Sequence, residues 1–137
     1  MNRLHIAVCL MAITACFRLQ AQSATLEAKI PFDFHVGNTL MPAGDYRVHY
    51  SGNLLVLREQ GSDARAVFTT LTIHTIRREA PNQGALLFNR YGDDYFFTKV
   101  WAPASFDGLE LVPSHREKFV ASRTRPVPEN PINVSTK

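Results

Sequence analysis

The feature that most constrains this chain is an alternation of apolar and polar side chains with a period of two. From Leu26 to Val36 every second residue is apolar, and polar residues such as Glu27 and Lys29 stand between them. Because successive side chains of a strand point to opposite faces of a sheet, this pattern predicts a strand with one buried face. Pro31 has no backbone donor, so we expect the strand to be bulged there or to lie at a sheet edge.

Short apolar segments of the same kind recur along the chain and are separated by turn residues. They lie at residues 46–50, 54–58, 66–76, 85–90, 95–101 and 109–112. The segment 66–76 is either one long strand or two strands with a bend near Thr70. Spacing and turn chemistry together predict an all-β fold, an antiparallel β-sandwich or small barrel of seven or eight short strands.

One short C-terminal helix is expected after the strands. Ser114 and Glu117 have the spacing of a capping box, which predicts about two helical turns over residues 115–122. Residues 123–137 contain three prolines and few large apolar side chains, and we expect them to form a disordered or extended tail. The single β domain is therefore placed at residues 24–122.

The first 23 residues are expected to be a cleavable secretion signal. Arg3 precedes an almost unbroken apolar run of twelve residues, 6–17. Such a run is too short for the roughly 20 residues that a helix needs to cross a bilayer, so no transmembrane segment is predicted. The small residues Ala21 and Ser23 then suit a cut after residue 23. A buried N-terminal helix is the alternative interpretation; export to the periplasm, cell surface or medium is the prediction.

A second processing route stays open at Cys16. Residues 13–16 (ITAC) are similar to the lipobox of bacterial lipoproteins, in which the cysteine thiol is acylated and becomes the new N-terminus. Cys9 and Cys16 are the only cysteines. If the cut instead follows Ser23, the mature chain has no thiol for a disulfide, a thiolate metal site or a nucleophile.

The charge of the chain argues against one class of partner. Without Arg3 and Arg18 the chain has 13 Lys and Arg against 12 Asp and Glu, a net charge of +1. A protein that binds nucleic acid through its phosphates needs a basic field, so no nucleic-acid partner is predicted.

The sequence contains no catalytic or metal signature. His35 and His49 fall on the polar faces of two predicted strands, and their imidazoles would converge if those strands were neighbours. A zinc site needs a third ligand, and none can be named. Two solvated histidines are the simpler interpretation. We therefore predict no catalytic residue, no metal site and no cofactor.

The predicted hairpin around Gly92 concentrates aromatic residues. A turn centred on Gly92 and Asp93 places Phe88 opposite Phe97, and the alternation gives Tyr95 and Trp101 the same strand face as Phe97. Two interpretations stay open: that these rings are packed in the core, or that they stay partly exposed.

In the second interpretation the exposed rings are the candidate binding residues. Tyr95, Trp101 and Tyr91 would form a platform for sugar rings or for a partner chain.

Three stretches carry a resemblance to a family. They are residues 30–37 (IPFDFHVG), 41–48 (MPAGDYRV) and 87–92 (LFNRYG), with the strand end at Trp101. Together they resemble a group of small exported bacterial proteins of uncharacterised function that open with I-P-F-x-F-x-V-G and L-P-A-G-x-Y-x-V, with Met41 here in place of the usual Leu. The resemblance implies an exported β domain over most of the mature chain and brings no activity or cofactor with it.

Three hypotheses of function follow. The first is an exported, non-enzymatic β module that binds a polysaccharide or an envelope protein, or acts as a structural part of the cell envelope. The second is a small secreted hydrolase, which requires a cleft with a nucleophile or a carboxylate pair. The third is a barrel that encloses an apolar ligand.

Overall fold

The computed structural model describes residues 23–61, 66–69, 72–128 and 131–136. Within these ranges the chain forms twelve strands and one helix, α1, at His115–Ala121. The strands are β1 Ser23–Ile30, β2 Phe34–Val36, β3 Thr39–Met41, β4 Gly44–Ser51, β5 Leu54–Glu59, β6 Ala66–Thr69, β7 Thr72–Ile76, β8 Gly84–Tyr91, β9 Asp94–Trp101, β10 Asp107–Leu111, β11 Val127–Pro128 and β12 Ile132–Thr136. The all-β prediction with one short C-terminal helix is confirmed.

The strand pairing follows a path that we call the circuit, although no pairing between β6 and β7 closes it among the described residues. β1 pairs with β4, β4 with β5 and β5 with β6; β7, next along the chain, pairs with β10, which continues through β9, β8 and β12 back to β1. The described pairs are antiparallel except for β2 and β9, which run parallel where His35 meets Phe96. β2 and β3 extend the sheet beside β9, and β11 lies beside β8. The strands thus enclose one interior.

That interior is filled by apolar side chains from both halves of the circuit. The largest fully buried ones include Tyr46, Phe34, Phe88, Leu26, Leu55, Leu57, Leu86 and Leu109. On β1 and β4 they come from alternate positions, as the period of two requires. Burial of this kind, rather than any cross-link, holds the domain together.

Pro31 divides the segment that the sequence presented as one strand. β1 ends at Ile30 and pairs with β4, whereas β2 begins at Phe34 and pairs with β9. Proline cannot donate to a ladder, so the chain leaves one half of the circuit there and enters the other. The carboxylate of Asp33 accepts a hydrogen bond from the Ala43 amide at 2.7 Å, which fixes the crossing.

Of the two forms expected for the C-terminal tail, disordered or extended, the described residues take the extended one. Two strands lie within 123–137: β11 pairs with β8, and β12 pairs with both β8 and β1. Ile132 and Val134 pack against the core. The segment that carries these alternate apolar residues forms a strand because β8 and β1, which are distant in sequence, pair with it. The strand total is also higher than expected, because β2, β3, β11 and β12 were not recognised as separate strands. The predicted signal, with Cys16, lies outside the described residues except for its last residue, Ser23, which begins β1.

Candidate functional site

The hairpin β8–β9 has the predicted register at its turn and a different register further along. Phe88 lies opposite Phe97 and Arg90 opposite Tyr95, as expected. Leu87, however, lies opposite Lys99, so one residue of β9, Thr98, is left over as a β-bulge. The Thr98 hydroxyl donates to the Leu87 carbonyl at 3.0 Å.

This bulge changes which side chains share a face. Phe97 and Val100 both point into the core, whereas Lys99 and Trp101 point to the outer face of the sheet. The sequence analysis assigned Phe97 and Trp101 to one face. That assignment is wrong beyond Thr98, because an extra residue in one strand shifts the alternation by one position.

The predicted aromatic platform is not assembled. Trp101 is only 7% exposed and Tyr91 only 6%. Tyr95 is half-buried and stacks on Phe32 with ring centroids 4.0 Å apart, at the rim of the core. The interpretation that these rings are packed fits the structure, and the three do not form an exposed binding surface.

Trp101 lies on the outer face under two cationic side chains. Its ring covers Gly108 of β10, and the Arg77 guanidinium is 5.5 Å and the Lys99 ammonium 6.0 Å from the ring centroid. Arg77 also donates to the Ser105 and Ala102 carbonyls, so it ties the loop after β9 to the ring. The indole Nε1 has no hydrogen-bond partner among the described residues.

Helix α1 packs on the outer face through a carboxyl group. It begins after Ser114, whose hydroxyl accepts from the Glu117 amide at 3.1 Å, as the capping box predicts. Glu117 is the buried residue of this helix, and its carboxylate accepts from the Tyr91 hydroxyl at 3.2 Å. Burial raises the pKa of the Glu117 carboxyl, and burial beside Glu117 raises the pKa of Tyr91.

A second polar contact secures the same helix. His35 is buried and stacks on Phe96, with its Nε2 3.7 Å from Asp94 Oδ1. Arg116 of α1 lies 3.7 Å from the same oxygen. Burial lowers the pKa of His35, Arg116 lowers it further, and Asp94 acts in the opposite direction.

The predicted pair of solvated histidines is therefore wrong for His35. β2 and β4 are not neighbours, and His49 on β4 contacts Thr25 instead. No group of three His, Cys, Asp or Glu side chains in the described ranges is arranged to hold a metal ion.

Next to the helix is a groove of about 340 Å³ on the outer face of β8, β9 and β10. We call it the outer groove; its lining includes Leu87, Thr98, Lys99, Glu110, Pro113 and Glu117. Lys99 and Glu110 lie directly opposite each other and form an ion pair at 3.2 Å. Polar groups thus form part of the groove, and apolar side chains provide the rest.

A larger depression of about 530 Å³ lies on the other half of the circuit. It is lined by Glu27, Lys29, Asp45 and Gln60 among others, and it is shallow and open to solvent. A comparable ion pair lies beside it, between Glu27 and Arg47 at 3.1 Å. This pair is a matched comparison for the pair in the outer groove.

Sequence reasoning missed the outer groove for an identifiable reason. Lys99 and Glu110 were each visible as polar residues in strands, and Glu117 as half of a capping box. Only the bulge at Thr98 and the pairing of β9 with β10 bring the three to one face. The bulge at Thr98 contains no glycine or other turn residue that would have indicated it in the sequence.

No helix in the described ranges is long and apolar enough to span a membrane. Comparison of the chain with models of protein families, with curated proteins and with solved structures finds no match.

Proposed function

We propose that this chain is an exported, non-enzymatic β domain that binds a ligand at the cell envelope, and that the outer groove is its binding site. The observation that carries the proposal is the Lys99–Glu110 pair set among apolar side chains in a concave site. Ligand sites combine apolar walls with a few placed polar groups in this way.

The groove chemistry favours a polysaccharide segment as the ligand. Sugar hydroxyls donate and accept hydrogen bonds, and the groove offers donors at Lys99 and acceptors at Glu110. Leu87 and Pro113 can contact the apolar faces of sugar rings. The interior, by contrast, is occupied by the protein's own side chains such as Phe34 and Tyr46, which is why we place the ligand outside it.

The experiment compares two pairs of substitutions in protein beginning at Ser23, which contains all the strands and the core described above. Binding to a panel of soluble polysaccharides and to envelope fractions is measured by sedimentation. K99Q/E110Q is expected to reduce binding at least tenfold, since it removes both charged partners in the outer groove. E27Q/R47Q, the matched control pair on the other half of the circuit, should bind as the unsubstituted protein does.

Equal loss in both variants, or no loss in K99Q/E110Q, would contradict the proposal. Loss only in E27Q/R47Q would move the site to the depression beside Glu27.

A second candidate function rests on a specific feature of the same groove, because Glu110 and Glu117 both line it. Burial raises the pKa of the Glu117 carboxyl, and glycoside hydrolases use a carboxyl of raised pKa together with a second carboxylate. Hydrolysis predicts release of reducing ends from a bound polysaccharide, abolished in E117Q. Binding without any release of reducing ends supports the non-enzymatic function.

A further inference from the structure

The positive charge of the chain is concentrated in one exposed segment. Residues 112–128, which we call the basic segment, contain Arg116, Lys118, Arg123 and Arg125, and all four are exposed. Its acidic residue, Glu117, is buried against Tyr91. The rest of the chain from Ser23 onward has nine Lys and Arg against eleven Asp and Glu, so the basic segment opposes the charge of the body that carries it.

Helix α1 within this segment is oriented opposite to a usual amphipathic helix. Glu117 faces the sheet, and Phe119, two residues on, is 58% exposed. Two residues turn a helix by about 200°, so the phenyl ring points away from the protein. The Arg123 guanidinium lies over this ring, 4.2 Å from its centroid. Val112 and Val127, near the two ends of the segment, are exposed as well.

We propose that the basic segment docks on the surface of an anionic lipid bilayer. Arg and Lys side chains are attracted to anionic headgroups, with about a fivefold gain in affinity for each cation near the surface. An aromatic ring beside them gains by entering the boundary between headgroups and acyl chains. Because the Arg123 guanidinium lies over the Phe119 ring, it would stay among the anionic headgroups while the ring enters the acyl boundary.

The exposed ring favours a bilayer over a soluble polyanion. Either one would be attracted by Arg123 and Arg125, but a soluble polyanion has no apolar phase to receive Phe119. The inference does not depend on the outer groove, since none of the four cations of the basic segment lines it.

The test is cosedimentation of the protein from Ser23 onward with vesicles of phosphatidylcholine, with and without phosphatidylglycerol. We expect binding only when phosphatidylglycerol is present, and weaker binding at higher salt. R123Q/R125Q should weaken it roughly 25-fold, and Phe119→Ser severalfold. The control K29Q/R58Q removes two exposed cations elsewhere and should change it little.

Dextran sulfate serves as the soluble polyanion. The proposal is overturned if anionic vesicles are not bound, if K29Q/R58Q loses as much as R123Q/R125Q, or if Phe119→Ser binds vesicles as the unsubstituted protein does. The last result, with dextran sulfate bound equally, would assign the segment to soluble polyanions. K99Q/E110Q should retain vesicle binding, so failure of the groove proposal and failure of this one are distinguishable.

Discussion

Gly108 shows how one residue permits the packing of another. It lies directly opposite Trp101, and the indole occupies the space where a side chain would stand. A Cβ built on Gly108 would lie 2.6 Å from the indole Nε1 and would also collide with the Val100 carbonyl. Only glycine therefore lets Trp101 lie flat on the outer face.

We expect Gly108→Ala to lower the free energy of unfolding by about 1–3 kcal/mol, because the ring or the backbone must move. Gly44→Ala is the control: it is also in a strand, and its Cβ would meet its nearest neighbours at an ordinary 3.8 Å. Urea unfolding of the two variants measures the difference. Equal effects would show that the contact with Trp101 is not the cause.

His35 is the buried group through which we expect the stability of the fold to depend on pH. It is buried beside Phe96 and faces Asp94 and Arg116, and its Nδ1 has no hydrogen-bond partner among the described residues. Its pKa is lowered, so below the ordinary value of 6.5 the unfolded chain takes up a proton that the folded chain does not. The contribution of neutral His35 to the free energy of unfolding is therefore complete above pH 6.5 and is lost as the pH falls below 6.5.

The prediction is a loss of stability between pH 7.5 and pH 5 that depends on His35. The unsubstituted protein should lose more unfolding free energy over this interval than His35→Gln, which stays neutral throughout. Urea unfolding at several pH values measures the stability of both proteins. Subtracting one curve from the other removes the contribution of the other titrating groups, which the two proteins share. Parallel curves for the two proteins would refute the assignment.

At the scale of elements, β12 is the strand that joins the two halves of the circuit. Ile132 and Val134 pair on the β8 side, and the following residues pair with β1. Val134 is buried, whereas its neighbour Asn133 points to solvent. The structure therefore predicts that a charged side chain is tolerated at position 133 and not at position 134, whereas in a disordered tail both positions would tolerate it.

We expect Val134→Asp to lower the free energy of unfolding by roughly 3 kcal/mol or more, because it buries an unpaired charge. Asn133→Asp introduces the same side chain on the exposed face and should cost less than about 0.5 kcal/mol. Thermal or urea unfolding distinguishes them. Two variants of equal stability would mean that β12 is not docked.

The helix and the bulge show why elements could be predicted while their faces could not. Ser114 and Glu117 identified α1 from local spacing, since a cap is made by residues three apart in sequence. The bulge at Thr98 is a feature of the register between β9 and β8, and the sequence of β9 alone does not contain that register. Lys99 and Trp101 are on the outer face for that reason.

For the whole molecule, the circuit of strands predicts cooperative unfolding. Among the described residues neither half of the circuit has a separate core, because the core cluster includes residues from β1 and β4 as well as from β8 and β9. Small domains with one such core usually unfold in a single step.

Trp101 makes this testable, since it is the only tryptophan and lies in β9. Its fluorescence reports on one half of the circuit, and far-ultraviolet circular dichroism reports on all the strands. The two signals should give the same urea midpoint. Separate midpoints would contradict a single cooperative unit.

The sequence by itself determined what depends on neighbours along the chain: the alternating strands, the turn at Gly92, the cap at Ser114, and hence the all-β class. The tertiary structure alone decided that Trp101 is buried, that His35 is enclosed, that Lys99 meets Glu110, and that the C-terminal residues form a strand. The physical reason is that a strand has no internal hydrogen bonds. Its partners, its register and its buried face are chosen by distant segments, which a local pattern does not contain.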